Sequence, residues 1–464
     1  MSNIAAVIMA AGKGARMKSR LPKVMHRLAG KPLIDHVLDL TDQLGIDHPL
    51  VILGHGRALI EEHVRDRAVV VTQTEQLGTG HAVRQALPGF QDAEDVLVLS
   101  GDQPLLCLET MQALLALHQE QKAVATVLTA QVADPFGYGR VIRDGARLLK
   151  IVEEKDATEA ERAVREINTG TYCFNVEFLT KALPGLTPQN AQGEYYLTGV
   201  FDFILADGLK ALTYCTRDVD EALGINSRIQ LAEAEQIFRR RILHNWLEEG
   251  VTIEDPATVY IESDVVLSRD VTLRPFVYLK GTTVVEENSV IGPQVDLESC
   301  FCGAGSELRY TVAREVKIGK GCTIGPFAYL RPGTELADGV KVGDFVEIKK
   351  SRIGSKTKIP HLSYIGDAEI GADVNIGAGT ITCNYDGEHK HLTRIADGVF
   401  IGSNANLVAP VEIGAHAFVG AGSTITEGVP AEALVVERGT LRVRKEWRKA
   451  KTKAKGAEQC QPTN

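Results

Sequence analysis

From about residue 251 onward, aliphatic residues return at every sixth position, and few folds can accommodate that period. The series opens with Val259, Val265, Val271 and Val277. It is clearest at Ile318, Ile324, Leu330, Leu336, Val342 and Ile348, and it resumes at Ile395, Ile401, Leu407, Ile413, Val419 and Ile425. An α-helix repeats near 3.6 residues and an ordinary strand at 2, so neither matches. Short strands separated by turns every six residues do match: three of them close a triangular coil of roughly 18 residues, and the inward aliphatic side chains stack from coil to coil. Glycine follows several of these positions, as in Ile413-Gly414 and Val419-Gly420. Gly and small residues are expected at the corners, where positive φ or close backbone approach is needed. The pattern predicts a left-handed parallel β-helix over residues 250–440, with about ten coils. Five-residue steps at Ile348–Ile353 and Ile365–Ile370 are the slips in its central part. One polar stretch, Gly379–Arg394, breaks the period and must leave the coil as a loop, where function concentrates.

The first 226 residues read differently. Short apolar runs at Ile4–Met9, Leu50–Leu53, Val69–Thr72 and Val96–Ser100 predict buried parallel strands. Amphipathic stretches at Leu33–Leu44, Ala58–Val64, Thr79–Leu87 and Leu108–Gln119 predict the helices between them. This alternation implies an α/β, Rossmann-like domain with helices on both faces, and ligands beyond the carboxyl ends of the strands. Between the two regions, residues 227–249 predict one helix acting as a linker. Ser227 is its N-cap, and Leu231, Ala234, Phe238, Ile242 and Trp246 recur at helical spacing. Residues 441–464 form a basic, solvated tail, with eight Lys or Arg between Arg442 and Lys455.

Composition narrows the class. Of 464 residues, 44% are hydrophobic and 24% charged, as in globular proteins. A net charge of −9 argues against a general nucleic-acid binder. No apolar run is long enough to span a membrane, and the N-terminus lacks the basic start of a secretory signal. The eight scattered cysteines show no zinc spacing and read as free, buried thiols of a cytoplasmic protein.

Chemistry-bearing residues cluster at two places. Met9-Ala10-Ala11-Gly12-Lys13-Gly14-Ala15-Arg16-Met17 follows the first strand directly. Its glycines let backbone N–H groups approach phosphates, and Lys13, Arg16 and the nearby Lys23 add positive charge. Taken alone it could be a tight βα turn, since it has neither the third glycine of a dinucleotide fingerprint nor a P-loop GK[ST]. Gln73 to Gly80 supplies another glycine turn. Ser100-Gly101-Asp102 ends an apolar strand, where an Asp suits either a hard metal ion or a helix N-cap. In the repeat region Arg331, Lys349, His361, Tyr364, Asn375, Asn384, Tyr385 and Lys390 fall within about 60 residues, and coil stacking brings equivalent positions together. His361 is the only histidine between 251 and 378.

These residues carry a resemblance. The set Ala10-Ala11-Gly12-Lys13-Gly14, Pro22-Lys23, Glu75 to Ala82, Gly101-Asp102, Gly137-Tyr138-Gly139-Arg140, Ile151 to Lys155, Glu166 to Gly170 and Gly224-Ile225-Asn226 resembles the sugar-1-phosphate nucleotidyltransferases. The whole chain resembles the bacterial bifunctional N-acetylglucosamine-1-phosphate uridyltransferase/glucosamine-1-phosphate acetyltransferases. The resemblance implies synthesis of UDP-N-acetylglucosamine: acetyl transfer from acetyl-CoA to glucosamine 1-phosphate, then uridylyl transfer from UTP to N-acetylglucosamine 1-phosphate. It implies that Met9, Ala10, Ala11, Gly12, Arg16, Lys23, Gln73, Gly78, Thr79, Ser100, Gly101 and Asp102 hold the nucleotide. Gly139, Glu153 and Asn168 would hold the sugar, and Asp102 and Asn226 would ligate Mg2+. In the second half it implies His361 as general base, Asn384 orienting the imidazole and Tyr385 placing the substrates. Arg331, Lys349, Tyr364, Asn375 and Lys390 would bind the amino-sugar phosphate. Ala378, Asn384, Tyr385, Ser403, Ala421 and Arg438 would bind acetyl-CoA, with the Ala378 N–H facing the oxyanion. A homotrimer is implied, without nucleic-acid or membrane partners. The chain departs from the family pattern at Met9 for Leu and Ala15 for Thr. It also reads Lys390-His391-Leu392-Thr393 for Lys-Phe-Lys-Thr, so position 392 offers no cation.

Overall fold

A computed structural model describes residues 3–54, 56–145, 147–437, 439, 442, 443 and 445–448. The chain divides into two compact units, one comprising Met1–Trp246 with Ile261–Asp264 and the other Leu247–Tyr260 with Val265–Asn464. The basic tail falls almost wholly outside the described residues. No described helix is long and apolar enough to cross a membrane.

The first unit is built on a sheet of nine described strands. Ile4–Met9 lies at its centre, paired in parallel with Leu50–Leu53 on one side and Asp95–Ser100 on the other. Val69–Thr72 extends the parallel edge beyond Leu50–Leu53. The four expected strands and the helices Leu33–Gln43, Arg57–Val64, Thr79–Ala86 and Leu108–Glu120 therefore stand where the apolar periodicity put them. Strand alternation sorts the core into two layers. Val7, Ile52 and Val98 face Val83, Leu179 and Phe201 on one side. Ile8, Val51 and Leu97 face Ile34, Leu38 and Leu114 on the other.

The other half of the sheet is mixed, which the apolar runs did not signal. Glu166–Asn175 runs antiparallel to both Asp95–Ser100 and Ala125–Gln131, and Ala211–Cys215 completes that edge. Ala125–Gln131 (ATVLTAQ) is buried for its first six residues yet carries two threonines, so it has neither strict alternation nor a continuous apolar run. A hairpin of Gly139–Asp144 and Arg147–Val152 pairs with the start of Glu166–Asn175.

The helix Arg228–Glu248 is capped by Ser227, whose Oγ accepts from the Gln230 N–H at 3.2 Å. Its residues Leu231, Ala234, Ile237 and Phe238 pack against Leu28, Leu33, Leu105 and Ile225. The helix is thus part of the first unit's core for most of its length.

The second unit is a parallel β-helix of three sheets with eleven, ten and nine strands, each strand pairing with its equivalent on the next coil. Lys317 pairs with Glu335, Lys341 with Lys358 and, across the insertion, Asn375 with Phe400. The repeat residues Val259 through Ile425 point inward, and all are buried. The left-handed β-helix fold class is the expected one.

The corners differ from expectation. They are filled less by glycine than by larger residues in the left-handed region, among them Phe276, Tyr310, Phe327, Phe345 and Leu362. That conformation costs a side-chain-bearing residue about 1–2 kcal/mol. Contact between coils offsets part of it: Phe327 stacks on Phe345 with ring centroids 5.2 Å apart, and Tyr310 lies 5.3 Å from Phe327. The glycine after each aliphatic residue answers close approach instead. A Cβ on Gly319 would meet the Ala337 carbonyl carbon at 2.6 Å. All seven described cysteines are free. Cys173, Cys300, Cys302 and Cys322 are buried, but Cys215 is exposed, so the expectation of buried thiols holds for only some.

Two candidate active sites

The first site gathers at the carboxyl ends of the central strands. The loop leaving Met9 is tied down by Ala10 N–H donating to Ile52 O (3.0 Å) and Gly101 N–H donating to Met9 O (3.0 Å). Ala10 and Ala11 are buried, while Gly12, Lys13 and Arg16 stay exposed. A Cβ on Gly12 would meet nothing within 4 Å, so packing does not demand glycine there and its backbone is open to a ligand. Gly14 has φ +59°, and a Cβ on it would lie 2.8 Å from Lys23 Cβ, so the loop folds onto Lys23.

Lys23, Asp102 and Asn226 converge. The Lys23 ammonium donates to Asp102 Oδ2 and, at 3.0 Å, to Asn226 Oδ1. The backbone holds this in place, since Ile225 N–H donates to Asp102 O at 2.9 Å. One carboxylate and one amide oxygen thus face a shared cation. Two hard oxygen donors of this kind suit Mg2+, which draws its remaining ligands from water and phosphate. Among the described residues no cluster of three or more His, Cys, Asp or Glu offers an alternative metal site.

Beside this triad lies a cavity of about 220 Å3 that brings together Met9, Thr79, Ser100, Gly139, Glu153 and Asn168. A shift in strand register between Asn168 and Tyr172 makes room for it. Asn168 donates to Tyr172 Oη at 2.7 Å and accepts from the Gly170 N–H at 3.2 Å. Glu153 accepts from Thr198 Oγ1 at 3.2 Å. Burial pushes the Glu153 carboxyl above its usual range against that hydrogen bond, and nearby Asp156 and Glu194 add to the rise. Gln73 and Gly78 stand outside this cavity. Gln73 is buried and donates to Gly78 O at 3.2 Å. A Cβ on Gly78 would meet Tyr195 O at 2.6 Å, so this glycine lets two backbones touch. Tyr172 and Thr198 also line the cavity. Tyr172 follows the Glu166–Gly170 motif closely, whereas nothing in the sequence singled out Thr198.

The second site lies on the β-helix, with its residues divided between two corners. At one corner Asp344 and His361 are register partners, and Asp344 Oδ1 lies 2.5 Å from His361 Nδ1. The same register carries upward to Ala378, Ser403 and Ala421, with Asn404 N–H donating to Ala378 O and Gly422 N–H to Ser403 O. His361, Ala378, Ser403 and Ala421 therefore stand in one column. Arg438 lies outside the described residues.

At the other corner Lys349 and Asn384 both donate to Asp367 Oδ2, Lys349 at 3.0 Å. Lys390 approaches Lys349 closely enough that its ammonium is pushed below the usual lysine range by that neighbour. Burial works against ionising Asp367, but the Lys349 and Asn384 hydrogen bonds outweigh it and hold the carboxyl below the usual range. Arg331 sits one coil away, paired with Glu347 at 2.8 Å. Tyr364 lies on the strand Tyr364–Gly366 between the corners. Asn375 shares the strand line of Lys358–His361.

One expectation needs correction. Asn384 was expected to orient the imidazole, but its amide is spent on Asp367 and His361 contacts Asp344 instead. The acetyl-CoA set is not brought together in one chain. Asn384 and Tyr385 stand at the far end of Ile381–Cys383 from Ala378, and Tyr385 is exposed. The insertion folds as a small hairpin through a Tyr385–Lys390 bridge, with Asp386 capping its turn. Asp344 and Asp367 were missed because acidic residues are common on solenoid surfaces, and only the coil register shows which cations they meet.

Residues 6–168 match the family model of MobA-like NTP transferase domains, and residues 315–350 and 392–427 match that of bacterial transferase hexapeptide repeats. The chain is 58% identical over 453 residues to the "Bifunctional protein GlmU" of Desulfitobacterium hafniense (strain Y51), covering 98% of this chain and 100% of that one. It is 52% identical to the protein of that name from Heliobacterium modesticaldum, covering 95% and 97%. The corresponding Geobacillus thermodenitrificans protein is 50% identical, covering 93% and 95%.

Proposed function

The chain belongs to the GlmU family of bifunctional proteins, and we propose that its two units divide the synthesis of UDP-N-acetylglucosamine between them. The β-helix acetylates glucosamine 1-phosphate from acetyl-CoA. The α/β unit then transfers uridylyl from UTP to N-acetylglucosamine 1-phosphate, releasing pyrophosphate. One observation carries the reading: each unit holds groups suited to its step, Lys23 between two oxygen donors by an open glycine loop in one, and in the other an exposed histidine at one corner with a lysine pair at the next.

In the α/β unit the loop from Met9 to Gly12 offers backbone N–H groups to the phosphates, with Arg16 and Lys23 beside them. Thr79, Ser100 and Gly101 complete the nucleotide side, while Gln73 and Gly78 shape the turn that borders it. Gly139, Glu153 and Asn168 take the acetylated sugar. Attack of the sugar phosphate on the α-phosphorus asks for positioning and charge neutralisation, not for a protein nucleophile. Asp102 and Asn226 would hold Mg2+, which would supply Lewis-acid stabilisation of the phosphates when bound. Lys23, which donates to both oxygens, is the cation nearest them for a phosphate to meet.

On the β-helix the amino sugar spans the corner between the strand of Asn375 and that of Tyr364. Its phosphate meets Arg331, Lys349 and Lys390, and its amine meets His361. Two lysines held this close are relieved by a shared anion. Ala378, Ser403 and Ala421 form the acetyl-CoA wall, Arg438 is a further residue assigned to the cofactor, and Asn384 and Tyr385 reach the cofactor bound on a neighbouring copy. That assignment calls for a homotrimer. The exposed column of Phe276, Phe327, Phe345 and Leu362 gives it an apolar surface to bury. These phosphorylated and CoA-linked substrates are cytoplasmic metabolites, which supports reading the protein as cytoplasmic.

Incubation with glucosamine 1-phosphate, acetyl-CoA, UTP and Mg2+, with each omitted in turn, tests the proposal. UDP-N-acetylglucosamine should form only in the complete mixture. Formation of UDP-glucosamine without acetyl-CoA would overturn the order of steps.

A further inference from the structure

Building on the reading of His361 as the base, we propose that Asp344 is the positioning residue of acetyl transfer, setting both the tautomer and the direction of the imidazole. Asp344 ends the strand Lys341–Asp344, and His361 ends the strand Lys358–His361 on the next coil. An ionised carboxylate only accepts hydrogen bonds, so the 2.5 Å contact requires hydrogen on Nδ1. Nε2 is then the lone-pair nitrogen, on a ring more than half exposed to the solvent side where substrate must arrive. The His361 hydrogen bond holds the Asp344 carboxyl below its usual range, so it is ionised at neutral pH.

Fold stability does not account for the pair. Both partners are exposed, and exposed pairs of this kind contribute little. Among the described residues, Asp344 is the acid that hydrogen-bonds the ring. Lys341 and Lys358 share its two strands, Asn375 lies on the following strand, Ala378 occupies the next register position, and Glu347 on the adjoining face is engaged by Arg331.

The chemistry needs this orientation. As the amine nitrogen attacks the acetyl carbonyl carbon, an N–C bond forms and His361 Nε2 takes one amine proton. Collapse of the tetrahedral adduct breaks the C–S bond, and the imidazolium returns that proton to the departing CoA sulfur. The Asp344 carboxylate stays ionised throughout and stabilises the imidazolium between the two transfers. Without it the ring can rotate and carry its proton on Nε2, where it cannot act as a base.

The test uses the full-length protein as wild type, Asp344→Asn, Asp344→Glu and His361→Ala, with acetyl transfer followed across neutral pH. In Asp344→Asn, kcat should fall at least about tenfold, with KM for both substrates within about twofold of wild type. Asp344→Glu should recover most of the rate, and uridylyl transfer should be unchanged in every variant. Wild-type acetyl transfer in Asp344→Asn beside an inactive His361→Ala would overturn the proposal. So would a loss spread equally over kcat and KM that Glu does not rescue. Wild-type acetyl transfer in His361→Ala would instead overturn the assignment of the base on which it rests.

Discussion

The Lys23 ammonium donates to Asn226 Oδ1 across 3.0 Å, although 203 positions separate the two residues, and Asp102 accepts from the same nitrogen. One strand-end carboxylate, one residue next to the cap of a helix and one loop lysine thereby become a single electrostatic unit.

Replacing Asp102 with Ala removes an oxygen from that unit. Uridylyl transfer should lose its response to Mg2+ and fall by about 10²-fold or more, while acetyl transfer is unaffected. Rates measured over a Mg2+ titration check this. Full uridylyl activity in the variant would assign the metal to another carboxylate.

The helix Arg228–Glu248 buries Ala234 fully and packs Leu231, Ile237 and Phe238 onto Leu28, Leu33, Leu105 and Ile225. A fragment ending at residue 226 gives up that contact, while one ending at 250 keeps it. The shorter fragment should be less stable by about 3–5 kcal/mol, taking three partly buried side chains at about 1–1.5 each. Denaturant melts of the two fragments give the difference directly. Equal midpoints would mean that the helix acts only as a linker.

Asp367 is held ionised by Lys349 and Asn384. A carboxyl whose folded value is depressed adds stability that is complete above its unfolded value, and that stability drains away as pH falls through the folded one. Wild type should therefore melt above Asp367→Asn at neutral pH, with the gap closing below about pH 4. Melting curves across that range decide it, and a gap that does not narrow at all below about pH 4 would refute the assignment.

In one chain His361 and Ala378 stand at a different corner from Asn384 and Tyr385. If a neighbouring copy completes the site, then His361→Ala and Tyr385→Ala should each lose acetyl transfer alone, by about 10²-fold for the base. Randomly mixed trimers should recover about a quarter of wild-type activity, since each site needs one intact half from each of two copies. Phe345→Glu, in the exposed aromatic column, should sediment as a smaller species with uridylyl transfer retained. A fully active monomer would end the shared-site model.

Much of this protein could be read from its chain alone, because periodicity is a local property. The six-residue recurrence from Val259 to Ile425 identified the solenoid, since only inward positions of a triangular coil must all be aliphatic, and each of them is buried. The apolar runs at Ile4–Met9 and Asp95–Ser100 likewise announced the parallel half of the sheet. The tertiary structure decided everything that depends on register between distant segments. The antiparallel strand Glu166–Asn175 borders the cavity of Glu153 and Asn168 with a register shift that leaves no periodic trace. The corners hold Phe327 and Phe345 in a backbone region the sequence alone assigned to glycine, because stacking between coils offsets a local cost. Asp344 meets His361, and Asp367 meets Lys349, only because strands on successive coils align these positions. Side-chain identity set the chemistry each position could perform, and the coil-to-coil register chose its partners.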